Sequence, residues 1–325
     1  MAWLALQFII GVFVLNKSAD WFVRGASRLA ELLGLPRLFI GVVLVGFATN
    51  LAEFAVSMVA SFSGHTEIAL GNAIGSNTFN TGLILGLCMV CLNARFEPVW
   101  LRDYGIPMLF CCGVMYLLAI FWDVSRFMGF FYILLCAAFV GWMAIIVKRE
   151  PVLARTAEEW AEEVEGGRDI RREWQTVVLL LCISLPIIWI SSKWLLSSST
   201  QIARLLGISE SVIALTLISA GTSLPELAAA WAASRRGHHD TSVGLIIGSV
   251  VYNAFGVIGC SGVICRQPYT YAHRLYDIPI MILVQVILLT PALWNRSPGK
   301  KTGYALLIVY GLYVYSLFTL YGIFS

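Results

Sequence analysis

Residues 46–86 read GFATNLAEFAVSMVASFSGHTEIALGNAIGSNTFNTGLILG, and residues 219–259 read SAGTSLPELAAAWAASRRGHHDTSVGLIIGSVVYNAFGVIG. A constant offset pairs Thr49 with Thr222, Glu53 with Glu226, Gly64 with Gly237, Ser76 with Ser249 and Asn80 with Asn253. The register holds without a gap, so the two stretches are copies of one unit. Each copy sets a carboxylate, hydroxyls and a side-chain amide inside apolar sequence. Left unsatisfied in hydrocarbon, such groups cost several kcal/mol each. An ionisable residue within a membrane marks a functional site, and a duplicated one beside helix breakers points to the midplane of a transporter.

The rest of the chain agrees with a membrane setting. Hydrophobic residues make up 59% of 325 and charged residues 13%, and the mean hydropathy is +0.81. A soluble fold is excluded, and a net charge of +3 without a basic patch gives no reason to expect nucleic acid. A spanning helix needs about 20 apolar residues. Ten segments fit, near 2–30, 37–63, 66–93, 103–122, 127–148, 175–204, 209–235, 241–264, 275–294 and 303–323. The expected fold is an all-α polytopic membrane protein of about ten transmembrane helices. The first and sixth segments are long and polar at one end, as strongly tilted helices are.

Five helices per half is an odd number, so the second half enters from the opposite side and the two five-helix repeats are inverted. The division is 1–148 for the first repeat (motif 46–86), 149–173 for a cytoplasmic linker and 174–325 for the second repeat (motif 219–259). Sixteen Lys and Arg residues, among them Arg95, Arg102, Arg235 and Arg296, collect on one side of this layout and five on the other. The positive-inside rule then puts both termini outside a cell (cytoplasmic) membrane. The linker is read as a solvated helix rich in Glu. Met1 runs into an apolar helix without a signal-peptide pattern. The eight cysteines, Cys88 and Cys91 in CxxC spacing included, are read as helix packing.

The chemistry sits in GFATNLAE and SAGTSLPE. Pro225 cannot donate a backbone hydrogen bond and disfavours helical geometry at Leu224. Unwinding there frees carbonyls beside Thr222, Ser223 and Glu226. The matching residues of the first copy are Thr49, Asn50 and Glu53, with Ala52 in place of proline. Gly46, Gly75, Gly221, Pro225 and Gly248 are the positions at which these helices are expected to loosen or break. Gly75 and Gly248 are also expected to admit a close backbone neighbour. Ser76 and Asn80 share one helix face, as do Ser249 and Asn253. Pseudo-twofold symmetry brings both glutamates to one site, and two carboxylates neutralise one Ca²⁺, whose 6–8 oxygen ligands the hydroxyls, amides and carbonyls complete. Burial and like charge penalise two bare carboxylates, so Na⁺ or H⁺ is expected to compete with Ca²⁺.

GTSLPE, then about twenty residues, then GN-x-x-GSN-x-x-N resembles the paired alpha-repeats of the cation/calcium antiporter superfamily, prokaryotic sodium/calcium exchanger type. The resemblance covers both halves. It implies a secondary active antiporter, not an enzyme, whose central site alternately holds Ca²⁺ or Na⁺ (H⁺ in some branches) while the first and sixth helices move. It also implies carboxylate ligands at Glu53 and Glu226, hydroxyl and carbonyl ligands at Thr49, Ser76, Thr222, Ser223 and Ser249, and amides at Asn80 and Asn253. Ala48, Asn50, Ala52, Leu245 and Val250 depart from the family pattern. Many prokaryotic relatives carry Asp where this chain has Asn253, so the site here has one negative charge fewer.

Ca²⁺/Na⁺ exchange is therefore the first reading, with Ca²⁺/H⁺ exchange at the same site and a degenerate, non-transporting paralogue as alternatives. An intramembrane metalloenzyme is disfavoured because none of the four histidines is expected in the core. No cofactor and no protein partner are expected; the ions are the transported species and the bilayer is the solvent. His65 and His238 are read as loop residues capping helices, and Asp20 and Lys193 as side chains that snorkel to the interface.

Overall fold

The computed structural model describes residues 1–32, 49–147 and 170–319. Gly46, Ala48 and most of the 149–173 linker lie outside them. The described residues are helical, with a single antiparallel bridge between Val124 and Gln267. In chain order the elements are α1 (Ala2–Leu32), α2 (Leu51–Phe62), α3 (Thr66–Cys91), α4 (Pro98–Phe121), α5 (Arg126–Val147), α6 (Ile170–Leu206), α7a (Glu210–Thr222) and α7b (Leu224–Arg235), α8 (His239–Ile264), α9 (His273–Leu293) and α10 (Lys300–Thr319). Eight of these are long and apolar enough to cross a membrane, and α7a and α7b form a further span bent by 49°. α2 is the described part of the expected segment 37–63. The chain is an all-α polytopic membrane protein of two repeats, and every expected segment has its helix.

α1 has 31 residues and α6 has 37. At 1.5 Å per residue both are much longer than the ~30 Å hydrocarbon layer. They pack as an antiparallel pair, Gly11 against Leu195 and Gly25 against Leu180 and Leu181. Serines on α6 return their hydroxyls to their own helix, as Ser191 does to Ile187 and Ser199 to Leu195. A polar-looking helix thereby stays compatible with lipid.

The duplication reaches further than the two motifs. In α3 the α-helix widens to π geometry at Phe79–Ile84, and in α8 at Tyr252–Val257. α4 and α9 carry a second matched pair, at Leu101–Gly105 and His273–Asp277. Each of these is followed by Ile-Pro, at Ile106–Pro107 and Ile278–Pro279. Asn77 donates its amide to the carbonyl of its own repeat mate, Val250, at 3.0 Å. The pseudo-twofold axis therefore passes between these two residues.

One symmetric pair of contacts ties the fourth helices together at opposite ends. Arg102, at the start of α4, donates to Asn295 beyond α9 at 3.2 Å. Arg274, at the start of α9, donates to Asp123 beyond α4 at 2.6 Å, and Arg266 joins Asp123 at 2.7 Å. Partial burial alone raises the affinity of Asp123 for protons. The hydrogen bonds from Arg266 and the Tyr269 N–H, with the charge of Arg274, outweigh it and hold the carboxyl below its ordinary range. A depressed folded-state value means a stabilising contribution present above the unfolded-chain value, near 4, and lost as pH falls through the folded one. The expected melting temperature in detergent is lower for Asp123→Asn than for the native chain at pH 6–8, with the gap closing on acidification below the ordinary carboxylate range. A gap that widens on acidification contradicts this assignment.

Candidate functional site

The second and seventh segments turn at matching residues. Asn50 precedes α2 with φ −85° and ψ 4°, and Ser223 precedes α7b with φ −87° and ψ 12°. Both occupy the sparsely populated bridge region. In the second copy Pro225 accounts for the break. In the first copy Ala52 removes that cause, and the Asn50 side chain ties the turn to its neighbours: its carbonyl oxygen accepts from Ser249 at 2.8 Å, and its amide donates to Thr49 at 3.3 Å.

Each break starts a 12-residue helix with a glutamate in its first turn, Glu53 in α2 and Glu226 in α7b. The partial positive charge of a helix N-terminus favours a carboxylate there. Both glutamates are buried, at 0% and 1% exposure. The Ser223 hydroxyl donates to Glu53 Oε1 at 2.9 Å, and the hydroxyls of Thr222 and Ser76 lie beside the same carboxylate. Glu226 stands close enough to Glu53 to feel its charge. Among the described residues, Glu53 Oε2 and both carboxylate oxygens of Glu226 have no hydrogen-bond partner. Such a pair is costly to bury bare, and it offers three oxygens to a cation.

α3 and α8 supply the surrounding amides. Asn80 donates to Ser249 Oγ at 2.9 Å, so Ser249 links Asn80 to Asn50 across the two repeats. Asn253 is fully buried, and neither atom of its amide group is bonded among the described residues. The structure thus gathers Glu53, Ser76, Thr222, Ser223 and Glu226 in one place and links Thr49, Asn50, Asn80 and Ser249 in a chain of hydrogen bonds. Gly75 and Gly248 do not break their helices, because α-helix continues through each; the wide turns begin four residues later. Gly75 does admit a neighbour, since a Cβ there would meet the Leu215 backbone at 2.7 Å. For Gly248 no described atom lies within 4 Å.

The sequence reading overlooked Asn72. Fully buried, it donates to the Glu53 carbonyl at 3.3 Å and to Ser57 at 3.0 Å, and it accepts from Thr222 at 3.1 Å. One amide thereby joins both helix breaks. The signal was present as the second residue of GNAIGSN, but its repeat mate is Leu245, so the duplication gave it no weight. The expectation about histidines also needs correction. His273 is fully buried, with its ring engaged by Ser211 at 2.8 Å and by the Thr270 N–H at 3.3 Å. His65 and His238 precede α3 and α8 without capping them through the side chain. His65 instead contacts Glu210 at 2.8 Å. Among the described residues no three His, Cys, Asp or Glu side chains form a metal cluster.

The family model described as sodium/calcium exchanger protein matches residues 3–145 and 176–319. The chain belongs to this family of secondary transporters. It is 33% identical over 319 residues, 94% of each chain, to inner membrane protein YrbG of Escherichia coli K12. It is 28% identical to sodium/calcium exchanger MaX1 of Methanosarcina acetivorans, over 96% of this chain and 98% of that one. A solved structure of the sodium-calcium exchanger NCX_Mj superposes with a TM-score of 0.63 at 25% identity, covering 97% of this chain and 99% of the other.

Asn72→Leu puts into the first repeat the residue of the second. It removes three hydrogen bonds from buried groups, and each group left unsatisfied costs about 1–3 kcal/mol. The melting temperature of the purified protein in detergent is expected to fall clearly; an unchanged value contradicts the bridging role.

Proposed function

We propose that the chain is a cation antiporter of the cell membrane that exchanges Ca²⁺ for Na⁺ by alternating access at a site formed by Glu53 and Glu226. The observation that carries this reading is the pair of buried carboxylates at two symmetric helix breaks, with hydroxyls of Ser76, Thr222 and Ser223 around Glu53. Two negative charges match one Ca²⁺, and the oxygens of these side chains, with Thr49, Asn50, Asn80, Ser249 and Asn253 beyond them, are the hard ligands it takes. Na⁺ or H⁺ neutralises the same carboxylates, so only one kind of ion is held at a time, as exchange requires. The named activity of MaX1 and NCX_Mj supports Na⁺ as the partner ion.

The separate family matches on 3–145 and 176–319 support a division into repeats 1–148 and 174–325 joined by a linker at 149–173. The side with more Lys and Arg is assigned to the cytoplasm, so both termini are outside. In this reading α1 and α6, packed on each other, move across the remaining helices.

Uptake of ⁴⁵Ca²⁺ into proteoliposomes tests the reading. An outward Na⁺ gradient is expected to drive uptake, and Glu53→Gln or Glu226→Gln to reduce it at least ~100-fold, given the cost of losing a charged ligand from a buried site. Uptake that follows only a pH gradient contradicts Na⁺ coupling in favour of H⁺. Uptake under neither gradient contradicts Ca²⁺ exchange.

A further inference from the structure

In α7 the backbone carbonyl of Gly221 would ordinarily accept from the N–H four residues later, and that residue is Pro225, which has none. The donor comes from outside the helix. Asn16 Nδ2, on α1, donates to Gly221 O at 3.1 Å. α1 is seated directly on this turn: a Cβ on Gly221 would lie 2.8 Å from Val12 Cγ2. The next residues along are Thr222, which bonds to Asn72, and Ser223, which bonds to Glu53.

The symmetry-related contact, α6 on α2, has neither residue. Ala52, which keeps its N–H, stands where the proline would be, and Trp189 stands where the asparagine would be. Trp189 packs instead on Phe62, at the far end of α2, with ring centroids 5.9 Å apart. The proline and the asparagine thus face each other across one of the two symmetry-related contacts between the repeats, and both are missing from the other contact.

We infer that Asn16 is a positioning residue. By supplying the hydrogen bond that Pro225 deletes, it fixes the turn presenting Thr222, Ser223 and Glu226, and it makes the geometry of that turn depend on where α1 sits. The consequence for ion affinity rests on the proposed exchange function; the hydrogen bond and its dependence on Pro225 do not.

The test is a double-mutant cycle on the full-length protein, with Asn16→Ala, Pro225→Ala and the combination, read first by amide hydrogen exchange of peptides spanning 219–229 without added Ca²⁺. Asn16→Ala is expected to speed exchange at the turn roughly tenfold, the loss of a bond to a buried carbonyl. In the Pro225→Ala background the new N–H serves Gly221, and removing Asn16 should change exchange less than about twofold. Asn16→Leu, close in volume and without a donor, must behave as Asn16→Ala does, which separates the hydrogen bond from packing. Equal effects of removing Asn16 in both backgrounds, or no effect in either, overturn the inference. The second readout is Na⁺-driven ⁴⁵Ca²⁺ uptake, where Asn16→Ala should raise the half-saturating Ca²⁺ about tenfold with the maximal rate altered less than about threefold. A fall in rate alone overturns the positioning role. Absence of uptake by the native chain counts against the exchange function, and the exchange measurement then decides the inference by itself.

Discussion

Two buried carboxylates, near enough to feel each other's charge inside an apolar bundle, are the constraint around which this molecule is arranged. Neither Glu53 nor Glu226 reaches solvent, and an unpaired charge in such surroundings is strongly destabilising. Three features reduce the cost. Both glutamates stand in the first turn of a helix, where unbonded N–H groups favour negative charge. Those helix starts follow the turns at Asn50 and Ser223. Hydroxyls from the partner repeat then reach across, as Ser223 does to Glu53. Interrupted helices within a membrane persist where they line a polar site, and here the site and the interruptions require each other.

The two repeats share a backbone plan and divide the chemistry unequally. α3 carries Asn72, Asn77 and Asn80, which bond to Thr222, Val250 and Ser249 of the other half. α8 has Leu245 and Val250 at two of the matching positions, and its Asn253 makes no bond among the described residues. The Glu53 side is consequently braced, while the Glu226 carboxylate stands free of hydrogen bonds from the described residues. The same inequality appears far from the site, where Asp123 gathers Arg274 and Arg266 but its counterpart Asn295 meets Arg102 as a neutral amide. Pro225 with Asn16 and Ala52 with Trp189 repeat the pattern at the helix breaks.

Much of this was legible in the sequence, because a duplicated polar motif inside apolar segments has few physical explanations. The ten segments, the break at Pro225 and the proximity of Glu53 to Ser223 and Thr222 follow from hydropathy, from a missing N–H and from the repeat offset. Other features left weaker traces. The π turns at Phe79–Ile84 and Tyr252–Val257 depend on backbone spacing that no residue type specifies. The matching of α4 with α9 was masked by a one-residue change in offset, although Ile-Pro recurs in both. Asn72 and Asn16 leave a weaker trace because neither is duplicated: their repeat mates are Leu245 and Trp189. Gly75 and Gly248 suggest both a loosened helix and a close neighbour; the helix runs through each, and among the described residues only Gly75 has the neighbour.

If Glu53 and Glu226 form one site, Ca²⁺ and Na⁺ compete for it. Equilibrium binding of ⁴⁵Ca²⁺ to the purified protein, titrated with Na⁺, tests it most directly. The account predicts saturable Ca²⁺ binding that Na⁺ displaces completely and that either Glu53→Gln or Glu226→Gln abolishes. Ca²⁺ that stays bound at saturating Na⁺, or that survives loss of one glutamate with its affinity intact, would contradict a shared site.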